Sequence, residues 1–252
     1  MGNYQDNLTA EVASWLLSDP RARAEKFRRE RIRHHKLVRD LLLDQLGTHD
    51  MDILEVGGGP MPVSDILPFR TRIVVDPLAD EYRKVVPCPD HYAIQAEHMP
   101  YSEDFDLVIC TNALDHVERP EDVVDLISQA LRPGGYFAVM CAENNALTNP
   151  HPAHEHNLTA DLIHRWLDET FETVWELTFR QHGYRYGWVS FEGRRGQPAF
   201  ALVLRKCSGY TPLDAVRTCA NCGRSIEGHR RQAIYCDGPC RAAASRARAT
   251  DA

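Results

Sequence analysis

Residues 52–62 read DILEVGGGPMP, an apolar run that stops abruptly in three glycines and two prolines. The run 52–56 predicts a strand, and Gly57 and Gly59 then permit a tight turn and a close approach of backbone to ligand. The pattern is not a dinucleotide fingerprint. G-x-G-x-x-G would place its third glycine where Pro62 stands, and Pro60 removes a backbone donor that a pyrophosphate would use. A strand ending in such a turn still marks where open α/β sheets bind ligands, at the carboxyl ends of their strands.

Downstream the pattern alternates. RTRIVVD (70–76), YAIQA (92–96) and FDLVICTN (105–112) predict three more strands. The last is almost continuously apolar, as expected of a parallel strand covered on both faces. PEDVVDLISQALRPGG (120–135) predicts an amphipathic helix with Pro near its start and Gly at its end. GGYFAVMCAEN (134–144) predicts a fifth strand and TADLIHRWLDET (159–170) a helix capped by Thr159. FETVWELTFRQ (171–181) and PAFALVLRK (198–206) predict the last two strands, the final one antiparallel. This alternation predicts a doubly wound, Rossmann-like α/β sheet of seven mostly parallel strands with right-handed crossovers. Upstream, residues 8–18 predict a short helix with Leu8, Val12, Trp15 and Leu16 on one face. Asp19 and Pro20 start a long helix that runs to about Leu46 and is closed by Gly47. Its basic middle, KFRRERIRHHK, is read as a solvated face, with a nucleic-acid contact as the alternative.

Glu55, Gly57 and Gly59 form E-x-G-x-G, which resembles motif I of the class I S-adenosylmethionine-dependent methyltransferases. The resemblance extends over about residues 50–206: QAEHMPYSEDFDLVICTNALDHV (95–117) is similar to the family's stretch after the third strand, and LRPGGYFAV (131–139) to a further hallmark. It implies a cofactor loop of Glu55, Gly57, Gly58 and Gly59, with Asp76 holding the cofactor ribose; a carboxylate can accept from two vicinal hydroxyls. It also implies that Ala96 and Glu97 lie beside the adenine, that Asn112 lies near the methionyl part, and that Leu114, Asp115 and His116 face the substrate. Two positions depart from the family pattern. Met61 stands where glycine is frequent, and Gln95 replaces the usual Asp.

Methyl transfer from a sulfonium requires an oriented nucleophile and, for some acceptors, a base. Two readings of His116 stand: a base titrating near neutral pH, or a ring packed against the cofactor. His154 is a second candidate, in NPHPAHEHNLTADL (149–162), a loop that would border the substrate pocket. His151, His154 and His156 with Glu155 form H-x-x-H-x-H, which is not the helical H-E-x-x-H zinc pattern. HGYRYGWVSFEGRRG (182–196) reads as a substrate lid or a simple hairpin. The stretch TNALDHV is not the N/D-P-P-Y/W/F motif of amino-methylating nucleic-acid enzymes, and it holds no Pro-Cys nucleophile pair of the kind used to methylate the cytosine ring carbon. Those absences favour a small-molecule acceptor, a sugar or metabolite methylated at oxygen or nitrogen. A methyltransferase acting on nucleic acid or protein, and a non-enzymatic cofactor-fold binding module, are the alternatives.

The 252 residues carry a net charge of −7, unevenly spread. Residues 49–204 hold eleven basic against twenty-five acidic residues, while residues 205–252 hold nine against four. The basic tail contains Cys219-x-x-Cys222 and, after thirteen residues, Cys236-x-x-x-Cys240. Four soft ligands at this spacing suit tetrahedral structural Zn2+, and a segment this short needs such a staple to fold. The tail resembles small zinc-ribbon or treble-clef modules ending in a basic helix; that helix reads either as a dock for nucleic acid or protein or as a solvated, alanine-rich helix that ends the knuckle. The expected organisation is a helical segment (1–48), a methyltransferase domain (49–206) and a zinc-binding tail (207–252). No apolar run is long enough to cross a bilayer and no secretory signal is evident, so a cytoplasmic protein is expected.

Overall fold

The computed structural model describes residues 8–9, 12–13, 16, 19, 21–26, 42, 46, 50–87, 89–143, 156–181, 189–190 and 197–208. Within them lies one sheet of eight strands: β1 (Met51–Val56), β2 (Phe69–Val75), β3 (His91–Tyr92), β4 (Phe105–Thr111), β5 (Leu131–Ala142), β6 (Phe171–Gln181), β7 (Val189–Ser190) and β8 (Gln197–Lys206). Their order is β3-β2-β1-β4-β5-β8-β6-β7. The first five pair in parallel, and β8 inserts antiparallel between β5 and β6. The seven expected strands are all present. The eighth, β7, is two residues paired with the end of β6, and it arises inside the insertion read as a lid or hairpin. β3 is shorter than YAIQA predicts. Only His91 and Tyr92 pair, opposite Val74 and Val75, and Tyr92 and Ala93 on this edge are exposed.

Alternate residues of each central strand enter two different cores, which is why these strands read as continuous apolar runs. Leu54, Val56, Val108, Cys110, Phe137 and Val139 face one side. Of the helices that follow, α1 (Ala79–Tyr82) comes directly after β2, and on this side the strands meet Val123, Val124 and Ile127 of α2 (Pro120–Ala130) and Ile163 and Leu167 of α3 (Ala160–Leu167). Ile53, Leu107, Ile109 and Ala138 face the other side, where Val63, Leu67, Leu42 and Leu46 cover them. The last two come from the N-terminal segment, so part of that segment belongs to the core of the sheet. Its described residues 21–26 are helical, and Asp19 Oδ1 accepts from the Arg21 amide at 3.0 Å.

The helix ends are held as their chemistry dictates. Thr159 caps α3, its Oγ1 accepting from the Leu162 amide at 3.2 Å. Pro120 starts α2. At the other end of α2, Lys206 Nζ reaches from β8 and donates to the carbonyls of Ser128 (2.9 Å) and Leu131 (2.7 Å). A cation at orphan helix carbonyls also matches the helix dipole. Among the described residues no helix is long and apolar enough to cross a membrane.

Candidate functional site

Strand order reverses beside β1, between β2 on one flank and β4 on the other, and the glycine loop leaves β1 at this switch point. Gly57 has φ +69° and its amide donates to the Val75 carbonyl at 2.8 Å. A Cβ on Gly57 would lie 2.3 Å from Ala113 Cβ, so the loop after β4 packs directly on this residue. A Cβ on Gly58 would lie 2.5 Å from Val74 Cγ1. Gly59 is different. Its φ is +60°, but among the described residues no atom lies within 4 Å of where its Cβ would be. The loop is thus packed shut behind Gly57 and Gly58 and open in front of Gly59.

Two carboxylates hold this loop. Glu55 is 1% exposed; Oε1 accepts from the Val63 amide (2.7 Å) and Oε2 from the Ser64 amide (2.8 Å). Burial pushes its carboxyl up, and the contacts to Ser64 and Val63 oppose that shift. Glu55 therefore braces the short 3-10 turn Val63–Ile66 that follows the loop. Asp76, at the end of β2, accepts from the Gly59 amide at Oδ2 (3.0 Å) and from the Leu78 amide at Oδ1 (2.9 Å). These two bonds orient the carboxylate.

The remaining predicted residues line the same end of the sheet. Ala96 is buried and starts a 3-10 turn over Ala96–His98. Glu97 Oε1 accepts from the amides of Glu118 (2.7 Å) and Arg119 (3.4 Å), which ties this turn to the start of α2. Asn112 has φ +49° and its amide donates to the Met140 carbonyl at 2.7 Å. A non-glycine residue in the left-handed region directly after β4 is locally strained, as residues at ligand sites often are. Leu114 and Asp115 are each 1% exposed, whereas the His116 side chain is 24% exposed. His116 Nε2 lies 3.7 Å from Asp115 Oδ2, beyond hydrogen-bond length. Asp115 Oδ1 accepts from the Cys141 thiol at 3.5 Å. Burial, reinforced by Asp115, pushes the Cys110 and Cys141 thiols up, so both stay protonated at neutral pH.

The sequence did not single out His91. It is 2% exposed on β3, and its Nε2 lies 3.0 Å from the Gly59 carbonyl. A carbonyl only accepts, so Nε2 carries the proton and donates. No spacing pattern marks this residue, because the contact is made across the sheet. His156 was considered only for metal; its Nε2 donates to the Val117 carbonyl at 2.7 Å, which brings the loop before α3 against the loop carrying His116. His154 and the cysteines 219, 222, 236 and 240 lie outside the described residues. Among the described residues no group of three or more His, Cys, Asp or Glu side chains is placed to hold a metal.

The family whose sequence model matches is described as Methyltransferase domain, and the match spans residues 25–191, about two thirds of the chain. The chain belongs to the methyltransferase-domain family. The match begins inside the N-terminal helical segment. Among solved structures, the N-methyltransferase NodS of Bradyrhizobium japonicum, crystallised with S-adenosylhomocysteine, is 17% identical with a TM-score of 0.56. That comparison covers 79% of this chain and 98% of NodS. An S-adenosylmethionine-dependent methyltransferase of Thermotoga maritima is 18% identical with a TM-score of 0.54, covering 81% of this chain and 97% of that one. At these identities the two structures establish the methyltransferase fold. A curated relative, the malonyl-[acyl-carrier protein] O-methyltransferase of Porphyromonas gingivalis, is 26% identical over 103 residues. Those residues are 40% of this chain, and the chain spans only 40% of the length of that relative.

Proposed function

We propose that this methyltransferase holds S-adenosylmethionine in the cleft between the Gly57–Gly59 loop, Asp76 and the 3-10 turn at Ala96, and methylates an oxygen or nitrogen of a small molecule. The observation that carries this reading is the open face of Gly59 beside a buried, pre-oriented Asp76. Among the described residues nothing fills the place where a Cβ would sit, and two amides already aim the carboxylate. Such a cradle fits a ribose against backbone. Asp76 would hold the ribose hydroxyls, Ala96 and Glu97 would flank the adenine, and Asn112 the methionyl end. Glu55 would act from beneath, by fixing the turn. When bound, the cofactor supplies a methyl group activated by a sulfonium charge.

What the chain must add is placement and a proton acceptor. His116 is partly exposed on the loop after β4, with its Nε2 3.7 Å from Asp115 Oδ2. We assign it the role of accepting the proton of the acceptor hydroxyl or amine at Nε2. His154 remains a second candidate for that role on sequence grounds. The curated relative is named an O-methyltransferase and the neighbour an N-methyltransferase. The tail cysteines 219, 222, 236 and 240 would hold a structural zinc ion and dock the enzyme to a partner. A basic tail leaves a nucleic-acid or protein acceptor as the second reading.

Calorimetric titration with S-adenosylmethionine and S-adenosylhomocysteine should give one site per chain. Absence of heat at millimolar ligand would remove the enzyme reading. Methyl-labelled cofactor incubated with fractionated extract should label the small-molecule pool; label confined to nucleic acid or protein would select the second reading. His116→Ala should lower kcat by about 10²–10⁴-fold, as loss of a general base does, with cofactor affinity retained. Metal analysis should give one zinc per chain, lost in Cys219→Ala and Cys236→Ala.

A further inference from the structure

His91 sits outside every motif, yet it grips the cofactor loop. Its Nε2–H donates to the Gly59 carbonyl at 3.0 Å. The amide of the same residue donates to Asp76 Oδ2 at 3.0 Å. Both polar groups of Gly59 are therefore held by side chains, one from β3 and one from β2, and the residue is fixed at φ +60° with its open side outward. Among the described residues no other atom within 4 Å of that open side would hold it there.

The burial of His91 is costly in a way that a structural residue would avoid. The ring is 2% exposed, and its buried Nδ1 has no hydrogen-bond partner among the described residues. A valine or leucine would fill a strand position of this kind without stranding an acceptor. Only the bond to Gly59 uses the ring's polarity. Burial, with the Arg72 charge nearby, pulls the ring's pKa down, and the ring stays neutral with its one proton on Nε2. Arg72 is itself held by Asp65 (2.5 Å) and Asp90 (2.8 Å), so the surroundings of the ring are fixed.

We infer that His91 is a positioning residue for the cofactor: by holding the Gly59 carbonyl it sets the Gly59 amide against Asp76, and so aims that carboxylate at the ribose. The inference rests on the cofactor reading above but assigns a residue that reading does not contain. His91 touches no reacting atom, so its effect falls on cofactor affinity and not on the chemical step.

The test uses the full chain with His91→Phe, which keeps the ring and removes the donor, and His91→Gln, whose Nε2 lies the same number of bonds from Cα. For His91→Phe, the S-adenosylhomocysteine Kd should rise about tenfold, roughly the loss of one buried hydrogen bond. KM for the cofactor should rise with it, while kcat at saturating cofactor and KM for the acceptor stay unchanged. His91→Gln should recover affinity to within about threefold of wild type. Amide hydrogen exchange at Gly59 should be faster in His91→Phe and restored in His91→Gln. Unchanged Kd and unchanged Gly59 exchange in a folded His91→Phe overturn the inference, as does a fall in kcat with constant KM. Should His91→Phe not fold, His91→Gln decides alone: wild-type affinity and Gly59 exchange support the clamp, and loss of both overturns it. If wild type binds neither cofactor nor product, the cofactor reading falls and Gly59 exchange alone judges the clamp.

Discussion

Three adjacent glycines do three separate jobs, and substitution separates them. Gly57 and Gly59 both have positive φ, so alanine at either costs about 1–2 kcal/mol of backbone strain. Only at Gly57 does the new methyl also meet a neighbour, Ala113 Cβ at 2.3 Å. Gly57→Ala should therefore lower Tm by several degrees more than Gly59→Ala, since it must displace the loop that carries Asp115 and His116. Gly59→Ala fills open space and should mainly weaken S-adenosylhomocysteine, by tenfold or more. Thermal unfolding and ligand titration of the two variants check this, and equal effects on both quantities would contradict it. At this scale the loop and Asp76 were legible because a glycine turn and a strand-end acid leave marks in a single stretch of sequence. His91 and the bond from Cys141 to Asp115 were not. Each joins residues far apart in the chain through a fold the side chain itself does not announce.

At the scale of elements, the legible signals were periodicity and capping. β6 has the predicted bounds, 171–181, because its run is closed at one end by a helix and at the other by a polar insertion. α3 starts where Thr159 said it would. Its cap is a side-chain bond to the Leu162 amide, and Thr159→Ala should cost about 1 kcal/mol, read as a shift in the urea midpoint with unchanged m. Thr159→Ser should restore most of it; no loss in the alanine variant would show that the packing of Ile163 and Leu167 holds α3 unaided. Where prediction missed, partners were the cause. β3 is truncated because it is an edge with one neighbour, and pairing, not propensity, ends it after Tyr92. β7 exists only as a partner of the end of β6, and two residues carry no periodicity to read.

The molecule as a whole divides its labour between the two edges of its sheet. The carboxyl edge holds the glycine loop, and the amino edge holds a closed lattice of charge. Asp52 on β1 accepts from Arg70 Nε (3.0 Å) and Thr71 Oγ1 (2.6 Å) of β2, and pairs with Arg132 of β5 at 2.9 Å. Arg132 also pairs with Asp106 of β4 at 2.7 Å, and Asp106 accepts from the Asp52 amide at 3.0 Å. Four strands are joined by these side chains alone. The hydrogen bond from Arg70, then that from Thr71, holds the Asp52 carboxyl far below the usual carboxylate range. A depressed folded pKa contributes stability that is complete above the unfolded value, about 3.9, and is lost as pH falls toward the folded one. Wild type should thus lose Tm steeply below about pH 4. Asp52→Asn should start lower at pH 7 and fall less, so that the two curves converge in acid. Parallel curves would show that the lattice contributes nothing through Asp52. Arg70 is 58% exposed, so solvent and salt screen its part, and raising ionic strength should narrow the gap at pH 7. Because the lattice sits at the opposite edge from Gly59 and Asp76, S-adenosylhomocysteine affinity at pH 7 should be the same in both proteins. A change in that affinity would mean that the two edges are coupled through β1, the strand that carries Asp52 at one end and Glu55 near the other.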